Sequence, residues 1–433
     1  MSQKSILQKI LAILAKAAIR KYKPLIIGIT GSVGKTSTKE AIFAVLKNKY
    51  RARRSEKNYN NEIGLPLTIL GIPHCGKNIF KWFSEFFRVV LHVLLRPYQY
   101  PEILILEYGV DRPGDMNYLL SIVRPKVAVV TAIGDIPVHI EFFKDTEELI
   151  AEKVKLVAAL PSDGTVVLNH DDYAVFDMGE KTKARVLTFG TEEQADLRIT
   201  NYELRIAVDQ KFGDILKGIT FKIEYDGNVV PVRLGGALGL ASAYAATAAA
   251  AVGLGLGLNL VEISEALQEY ISPPGRLRLL KGNKNSLILD DTYNASPESM
   301  RVALETLKSI PAKRKIAVLG DMLEIGKYTE QAHRAVGDQA AEFVDLLFTV
   351  GSRAKFIADE AGQNFISQNP DRQIFKYDDS LAAGRALDPL ILEGDLILVK
   401  GSQTMRMEKV VEEIMAHPEK ASELLVRQDG YWE

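Results

Sequence analysis

Apolar positions in the first half of the chain follow two alternating periods, one typical of buried strands and one typical of amphipathic helices. Short apolar runs such as Leu25–Ile29 recur between longer stretches with helical spacing. Further runs of this kind lie at Ile103–Glu107, Val127–Thr131, Thr165–Leu168 and Arg185–Phe189. Strands that alternate with helices favour a mostly parallel sheet that is covered on both faces. We therefore predict an α/β fold for this half of the chain.

The second half repeats the alternation after an interruption. Residues 196–234 carry short β-rich runs between glycine turns, which predicts hairpins at an edge of the first sheet. An alanine-rich helix is predicted from about Leu238 to Gly253, and Ser272–Gly275 is a rigid proline turn. Beyond this turn the predicted strands are Ser286–Asp290, Lys315–Leu319, Leu346–Val350 and Asp395–Val399.

These patterns divide the chain into an amphipathic helix and two α/β domains. We predict the helix at residues 1–24 and a central domain with a mostly parallel sheet at residues 25–275. A smaller Rossmann-like domain is predicted at residues 276–433. The length of 433 residues suits this division, because a domain usually has about 50 to 250 residues.

The overall composition is that of an ordinary globular protein, and it narrows the choice of partners and compartment. Lys and Arg total 54 against 55 Asp and Glu, so there is no basic excess for binding nucleic acid. Cys75 is the only cysteine, so an intrachain disulfide is impossible, and a reducing cytoplasm is the expected location. No stretch reaches about 18 uncharged apolar residues, so we predict no transmembrane helix.

The strongest chemical signal is a glycine-rich loop between the strand Leu25–Ile29 and a predicted helix. The loop reads Gly31-Ser32-Val33-Gly34-Lys35-Thr36, and Ser37 follows it. Glycines let backbone N–H groups turn toward a phosphate, and the helix N-terminus adds a partial positive charge. Lys35 is expected to neutralise the outer phosphates of a nucleotide, and the Thr36 hydroxyl can bind Mg²⁺. The strand–loop–helix context disfavours the alternative, a glycine turn that binds nothing.

Three further residues have side chains that suit a metal or phosphate site. Glu107 ends an apolar strand, and the carboxyl ends of parallel strands face the ligand crevice, where a carboxylate can hold Mg²⁺. His139 follows the strand Val127–Thr131, and Lys153 lies in a helix predicted from Asp145 to Leu160. Each residue also has an ordinary alternative. Glu107 could be a strand end in solvent, and the other two could be surface or satisfied core groups.

Together, these motifs resemble the Mur ligase family in identity, order and spacing. The matching strings are the phosphate loop, Asn58-Tyr59-Asn60-Asn61-Glu62-Ile63-Gly64-Leu65-Pro66, Glu107-Tyr108-Gly109, and His139-Ile140-Glu141 with Lys153. Four later strings resemble the family members that add D-alanyl-D-alanine: Gly275-Arg276, Asp290–Pro297, Leu319–Gly326 and Lys400-Gly401-Ser402. The resemblance covers about residues 25–415.

The resemblance implies a catalytic chemistry for the phosphate-loop side of the site. Lys153 would be carbamylated by CO₂, which turns a cation into an anionic oxygen ligand that suits a hard metal. Lys153 and His139 would hold one Mg²⁺, while Thr36 and Glu107 would hold a second one at the phosphates of ATP. With Lys35, the two ions would offset charge repulsion while a substrate carboxylate attacks the γ-phosphate. An amine would then displace phosphate from the acyl phosphate and form an amide.

The resemblance also assigns nucleotide contacts to the second domain and to the adenine side. Arg276 would meet the phosphates and Asp291 the ribose hydroxyls, so that domain closure would complete the site. The alternative for Arg276 is an ion pair within the linker. The family usually carries an Asn where this chain has Ser242. A hydroxyl cannot make the two-point contact of an amide, so we expect weaker selectivity for the base.

For the substrates, the resemblance points to two groups of residues. Asn294 and the loop that contains Asp321 would line the pocket for the incoming D-alanyl-D-alanine. The carboxylate of the muramyl-peptide acceptor would be oriented by Asn58, Asn60 and Asn61. An asparagine-rich turn explains the second group equally well, because asparagine favours turns.

Besides Ser242, two further features depart from the family pattern. The phosphate loop begins near the start of the sequence, so we expect the UDP-sugar-binding domain that usually precedes it to be absent. Residues 78–96 look like a helical insertion. Its polar stripe consists of Lys81, Glu85, Arg88, His92 and Arg96, and its remaining surface is a very wide apolar face.

We hypothesise that residues 4–21 and 78–96 make a peripheral contact with a membrane surface, where lipid-linked acceptors reside. Both segments combine an apolar face with cationic residues, as interfacial helices do. The alternative is that they bury these faces against each other, the main domain or a second subunit. In residues 4–21 the apolar side is predicted to consist of Ile6, Leu7, Ile10, Leu11, Leu14, Ala17 and Ala18.

The leading interpretation is an ATP-dependent ligase that forms an amide bond between a muramyl peptide and D-alanyl-D-alanine. Within the same class, a related ligase could act on a lipid-linked or another carboxylate acceptor. In a different class, the chain could be a nucleotide-binding module without catalysis. The combination of Lys35, Glu107, His139 and Lys153 disfavours such a module.

Overall fold

The computed structural model describes residues 3–55, 59–76, 78–95, 99–209, 213–368 and 372–428. The helices are α1 (Gln3–Tyr22), α2 (Lys35–Leu46), α3 (Gly64–Leu70), α4 (Ile79–Arg88), α5 (Asp115–Ile122), α6 (Thr146–Ala158), α7 (Tyr173–Phe176), α8 (Gly239–Gly255), α9 (Leu260–Leu267), α10 (Pro297–Ser309), α11 (Thr329–Ala341), α12 (Lys355–Gln368), α13 (Ser380–Leu387), α14 (Glu408–Ile414) and α15 (Ala421–Leu424). The strands are β1 (Leu25–Thr30), β2 (Ala52–Arg54), β3 (Ile103–Glu107), β4 (Val127–Val130), β5 (Thr165–Asn169), β6 (Arg185–Gly190), β7 (Leu197–Asp209), β8 (Gly213–Tyr225), β9 (Asn228–Gly235), β10 (Arg278–Lys281), β11 (Leu287–Asp291), β12 (Arg314–Gly320), β13 (Leu346–Val350), β14 (Gln373–Tyr377) and β15 (Asp395–Lys400).

The first sheet has nine strands in the order β2-β3-β1-β4-β5-β6-β7-β8-β9. The strands from β2 to β7 pair in parallel, and β7, β8 and β9 form an antiparallel meander at one edge. The inner strands are buried along nearly their whole length, which explains why they are continuous apolar runs in the sequence. The hairpins predicted in residues 196–234 are confirmed.

The order of the strands reverses beside β1. The chain passes from β1 to β2 and β3 on one side, and it continues from β4 on the other. In open α/β sheets, ligands bind at the carboxyl ends of the strands on either side of such a reversal. The phosphate loop leaves β1 at this point, and Glu107 ends the neighbouring β3. Candidate site residues from distant parts of the sequence therefore come together here.

The second sheet has six strands in the order β10-β11-β15-β12-β13-β14. Only the edge strand β10 is antiparallel to its neighbour. The predicted mostly parallel α/β architecture is confirmed for both sheets. The strands β2, β10 and β14 were not predicted. All of them are short edge strands with partly exposed residues, so they lack the continuous apolar run that identifies an inner strand.

The two sheets are joined through helices that pack beside the ligand crevice. The helix α8 contacts α2 on one side and α10 on the other, so it links the first sheet to the second. Its small residues permit a close approach: a Cβ on Gly253 would lie 3.0 Å from side-chain atoms of Val45 and Ile263. An isolated bridge between Ala237 and Arg278 adds a backbone connection. The crevice is therefore bordered by both parts of the chain.

The helix α1 packs against α3, α5 and a π-helical segment, Val89–Leu95, that continues α4. Leu11 and Ala18 are buried in this contact. Ile6 and Ile10, which the sequence pattern placed on the apolar side of this helix, are exposed and share the outer stripe with Lys9. Within the described ranges, no helix has the length and apolar character needed to cross a membrane.

Candidate nucleotide and metal site

The phosphate loop has a backbone shape that only glycine fits at its first position. Gly31 has a φ of 137°, and a Cβ there would lie 2.1 Å from Oγ1 of Thr131. The amides of Ser32 and Val33 donate to the carbonyl of Ala132 at 2.7 and 3.1 Å, which fixes the loop to the end of β4. The remaining donors for a phosphate are the first amides of α2, because a helix N-terminus leaves them without intrahelical partners.

Two lysines contact the same carbonyl of this loop. Nζ of Lys35 donates to the carbonyl of Gly31 at 2.7 Å, and Nζ of Lys153 donates to it at 3.2 Å. Burial lowers the pKa of both amines, and the charge of Lys35 lowers that of Lys153 further. The pKa of Lys153 falls to about 7. Near neutral pH, a substantial fraction of the Lys153 amine is therefore uncharged and nucleophilic.

Glu107 is buried at the end of β3, so the alternative of a strand end in solvent is wrong for this residue. Its Oε2 accepts a hydrogen bond from Oγ1 of Thr36 at 3.5 Å. Its Oε1 lies 3.2 Å from Nζ of Lys39, which also donates to the carbonyl of Ser55. A buried carboxylate needs such a partner. Lys39 was not predicted, although it lies one helical turn after Lys35 and thus on the same side of α2.

His139 lies between carboxylates from two different parts of the molecule. Its Nε2 is 3.3 Å from Oδ1 of Asp111, and its Nδ1 is 2.7 Å from Oε2 of Glu324. His139 and Glu324 both have left-handed backbones, with φ of 70° and 62°. Such conformations are uncommon for residues other than glycine and concentrate at functional sites. The sequence interpretation missed Asp111 and the role of Glu324.

Asp111 connects the His139 side of the site to the two lysines. Its charge raises the pKa of Lys35 and of Lys153, against the larger effect of burial. His139, Lys153 and the phosphate loop therefore belong to one region, as the sequence interpretation requires. Considering the described part of the chain only, no group of three or more His, Cys, Asp or Glu residues is arranged to hold a metal.

Arg276 reaches the phosphate loop from the second half of the chain. Its Nη2 donates to Oγ1 of Thr36 at 3.3 Å, and its guanidinium stacks 3.9 Å from the ring centre of Tyr293. Among the described residues, Nε of Arg276 and Oγ of Ser32 are buried without a hydrogen-bond partner. Buried donors of this kind are costly unless a ligand satisfies them. An anion at the loop is the ligand that suits an arginine.

A cavity of about 660 Å³ extends away from the phosphate loop and is bordered by both sheets. Its volume is in the usual range for a small-molecule site. Its lining includes Ser37, Ser242, Arg276 and Asp291 from the predicted set. The lining residues that were not predicted include Asn169, Asp171, Tyr173, Phe189, Tyr244 and Lys400. Three of these are aromatic, which suits a flat base.

Two predicted nucleotide contacts already have partners within the protein. Oγ of Ser242 donates to the carbonyl of Leu238 at 2.7 Å, so the hydroxyl has only its acceptor capacity left. Asp291 accepts from Nζ of Lys400 at 2.6 Å and from the amide of Leu277 at 3.1 Å. Burial lowers the pKa of Lys400, and the charge of Asp291 opposes this effect. Lys400 thus belongs to the site and holds Asp291 in place.

The residues predicted to bind the substrates also have local partners. Oδ1 of Asn61 accepts from the amide of Gly64 at 2.9 Å at the start of α3. Oδ1 of Asn294 accepts from the amide of Gln403 at 3.3 Å. Oδ1 of Asp321 accepts from the amides of Arg353 and Ala354 at 3.0 and 2.7 Å, just before α12. These bonds fix turns, and the assignment of these side chains to substrates stays a prediction.

A second, polar cavity of about 280 Å³ lies beside the asparagine string. It is lined by Asn61 and Asp111, and by Gln8 from α1. The carbonyl of Asn60 accepts from the amide of Gly109 at 2.8 Å, which ties the string to the end of β3. Asn58 lies outside the described residues. The described part of this string, residues 59–61, is therefore close to Asp111 and to the candidate metal ligands. The carboxylate of the acceptor would have to lie in the same region.

The fold and the site together define a P-loop protein of two α/β units, with the loop at the reversal of one sheet and an arginine supplied from the other unit. Comparison with known families identifies the class. A model of the Mur ligase middle domain matches residues 29–82 and 83–252, and a model of the Mur ligase glutamate ligase domain matches residues 275–403. The chain belongs to the Mur ligase family.

Particular relatives point to one branch of this family. The chain is 30% identical to UDP-N-acetylmuramoyl-tripeptide–D-alanyl-D-alanine ligase of Bacillus subtilis over 94% of its own length and 79% of that protein. It is 28% identical to the Escherichia coli enzyme of the same name, with 91% and 78% covered. The MurF ligase of Thermotoga maritima, solved in complex with ADP, aligns with a TM-score of 0.74 at 26% identity over 94% of this chain and 83% of that one.

Proposed function

We propose that the protein is an ATP-dependent ligase that joins D-alanyl-D-alanine to the carboxylate of a muramyl peptide in peptidoglycan synthesis. One observation carries the proposal: Arg276 of the second unit donates to Thr36 of the first at the phosphate loop, and the same Thr36 hydroxyl contacts Glu107. A nucleotide in the cavity would contact both units at once. The similarity to ligases named for this reaction supports the choice of substrates.

The reaction has two steps, and the chain supplies charge stabilisation for the first. An oxygen of the acceptor carboxylate attacks the γ-phosphorus of ATP, and ADP leaves with the electron pair of the broken P–O bond. Lys35 and Arg276 would stabilise the charge on the transferred phosphoryl group. The amine of D-alanyl-D-alanine then attacks the acyl carbon, phosphate leaves, and the nitrogen loses a proton to form the amide.

The residues around Glu107 fit a bound Mg²⁺ ion. The Thr36 hydroxyl and the Glu107 carboxylate supply adjacent oxygens, which Mg²⁺ prefers together with phosphate oxygens and water. Lys39 offsets part of the negative charge on Glu107, so phosphate oxygens would provide the rest of the ligand set. When bound, Mg²⁺ would neutralise phosphate charge. His139 and a carbamylated Lys153 would hold a second ion.

The environment of Lys153 supports carbamylation. A neutral amine can attack CO₂ to form an N–C bond, after which the nitrogen loses a proton and the carbamate is anionic. The pKa of about 7 provides the neutral amine, because burial and the charge of Lys35 disfavour the ammonium form. The same neighbouring charge of Lys35 would stabilise the anionic product. The modification therefore removes an unfavourable contact between two lysines.

Mass-spectrometric product analysis tests the proposed reaction. The protein is incubated with ATP and Mg²⁺, with UDP-linked or lipid-linked muramyl tripeptide, and with or without D-alanyl-D-alanine. We expect an amide product and ADP release that depend on both substrates. A Lys35→Ala variant is the control and should be inactive. A slow release of phosphate that is indifferent to acceptor and amine would refute ligation and favour a nucleotide-binding module.

A further inference from the structure

The helix α4 exposes three of its phenylalanines to solvent, although Trp82 of the same helix is buried. The exposed fractions of Phe80, Phe83 and Phe87 are 89%, 74% and 62%. The opposite side of the helix is held by Trp82, whose Nε1 donates to the carbonyl of Gly76 at 3.0 Å. Arg88, from the predicted polar stripe, donates to the carbonyl of Gly71 at 3.1 Å. Phe80, Phe83 and Phe87 therefore lie on the solvent side of α4, while Arg88 of the polar stripe contacts the loop before the helix.

The neighbouring α1 extends this exposed surface. Ile6, Ile10 and Ile13 lie at helical spacing on its outer stripe, with Ile13 66% exposed. We define the apolar face as Ile6, Ile10, Ile13, Phe80, Phe83, Phe87, Val90 and Leu95. Val90 and Leu95 are exposed on the π-helical segment that contacts α1. Clusters of large exposed apolar side chains mark interaction sites.

The charge around the apolar face indicates what covers it. The sequence of α1 contains Lys4, Lys9, Lys16, Arg20 and Lys21 and no acidic residue. Lys81 adds another cation on α4. The chain as a whole carries a net charge of −1, so this basic character is local. A second copy placed face to face by twofold symmetry would bring the lysines of α1 together, which is unfavourable.

We propose that the apolar face docks on the surface of an anionic lipid bilayer. The phenylalanines insert among the acyl chains near the headgroups, and Lys9, Lys16 and Arg20 contact lipid phosphates. Gln8 lies on the opposite side of α1 and lines the cavity beside Asn61, so docking would place this cavity about one helix diameter, roughly 10 Å, from the bilayer surface. If the proposed ligase reaction holds, the bilayer then presents a lipid-linked acceptor to that cavity.

Sedimentation of the full chain with vesicles tests the proposal. We compare phosphatidylcholine vesicles with vesicles that also contain phosphatidylglycerol. Because cations near an anionic surface are attracted to its lipids, we expect a preference of roughly tenfold or more for the anionic vesicles. A Phe80→Ser/Phe83→Ser/Phe87→Ser variant should lose about tenfold or more in binding. The matched control is Val229→Ser/Val261→Ser/Leu392→Ser, which removes exposed apolar residues elsewhere and should bind like the wild type.

A Lys16→Glu/Arg20→Glu variant tests the charges independently and should lose the preference for phosphatidylglycerol. Absence of binding to anionic vesicles, or binding that neither variant weakens, would overturn the proposal. So would a lipid-free homodimer that the phenylalanine substitutions dissociate, as measured by light scattering. Ligation of a UDP-linked acceptor without vesicles should be unchanged in the phenylalanine variant, which separates failure of docking from failure of the ligase reaction.

Discussion

At the scale of single residues, the site depends on side chains whose charge is set by their neighbours. Burial and, to a lesser degree, the neighbouring charge of Lys35 lower the pKa of Lys153, so part of its amine is neutral near neutral pH. Glu107 is buried, and its carboxylate lies beside the amine of Lys39. These pairs make several residues of the site chemically different from the same residues in water. Three predictions follow from these contacts.

Replacing Lys153 with alanine should reduce ligation on the order of a thousandfold, because it removes an anionic ligand expected at the metal. Short-chain carboxylic acids should restore part of the rate by occupying the vacated position. ADP release at saturating substrates measures the effect. Lys144→Ala is the control, since Lys144 lies just before the same helix and its side chain is exposed to solvent. Turnover like that of the wild type would remove Lys153 from the mechanism.

The rate should also fall as the pH decreases through about 7. Burial lowers the pKa of Lys153 to about 7, so the amine is mainly neutral above this pH and protonated below it. Only the neutral amine reacts with CO₂. Initial rates at several fixed bicarbonate concentrations should therefore show that added bicarbonate compensates for a moderate decrease in pH. A rate that is independent of bicarbonate throughout this range would contradict carbamylation.

Glu324→Gln should lower Mn²⁺ affinity or turnover roughly 10- to 100-fold, the usual cost of losing a carboxylate that orients a histidine ligand. The reason is its contact with Nδ1 of His139, which leaves Nε2 directed toward Asp111. Calorimetry with Mn²⁺ and a non-hydrolysable ATP analogue measures the affinity separately from catalysis. Glu141→Gln is the control, because Glu141 is exposed on the turn that follows His139. Equal affinities in wild type and Glu324→Gln would argue against this role.

At the scale of elements, the phosphate loop is positioned by its attachment to two strands. The loop follows β1, and the amides of Ser32 and Val33 donate hydrogen bonds to the carbonyl of Ala132, just after β4. Gly31 lies against Thr131 in this arrangement, with no room for a side chain. The loop is therefore held in shape by the sheet before any ligand binds.

Gly31→Ala should lower the free energy of unfolding by about 2 kcal/mol or more, because strain at positive φ is combined with a clash against Thr131. Urea denaturation measures the change. Gly227→Ala is the matched control: its φ is 72°, but a Cβ there would meet no atom within 4 Å. It should cost only about 1 kcal/mol. Equal costs at both positions would mean that the contact with Thr131 contributes nothing.

At the scale of the whole molecule, the site is complete only where the two sheets meet. Arg276 connects the second unit to Thr36, while Lys400 and Asp291 border the same cavity from that unit. A nucleotide that contacts both sides would draw them together. The relative arrangement of the two units should therefore respond to nucleotide binding.

Arg276→Ala should weaken binding of an ATP analogue about tenfold or more, because it removes a charge-assisted contact with the phosphates. It should also abolish the nucleotide-dependent decrease in the radius of gyration that we expect for the wild type in small-angle scattering. Arg334→Ala is the control, since Arg334 forms ion pairs with Glu330 and Glu360 on the surface of the second unit. Unchanged affinity in Arg276→Ala would remove this arginine from the nucleotide site.

Sequence reasoning identified residues whose chemistry is encoded locally. The phosphate loop could be predicted because its glycines, lysine and threonine are consecutive and lie between an apolar strand and a helix. Asp111, Lys39 and Lys400 could not be assigned a role in this way. Each acts on a residue that is distant in sequence or on another element, and no local pattern reports such a contact.

The sequence by itself determined the α/β class, the inner strands and the phosphate loop, because hydrophobic period and glycine placement are properties of neighbouring residues. Only the tertiary structure decided which way the amphipathic helices face. Periodicity placed Ile6 and Ile10 on the apolar side of α1 without deciding whether that side is buried, and the packing of α1 against α3 and the segment after α4 left both in solvent. The same holds for Lys153, whose low pKa arises from burial beside a lysine far away in the chain. Burial and electrostatic environment depend on what packs against a residue, and long-range packing is not contained in a local pattern.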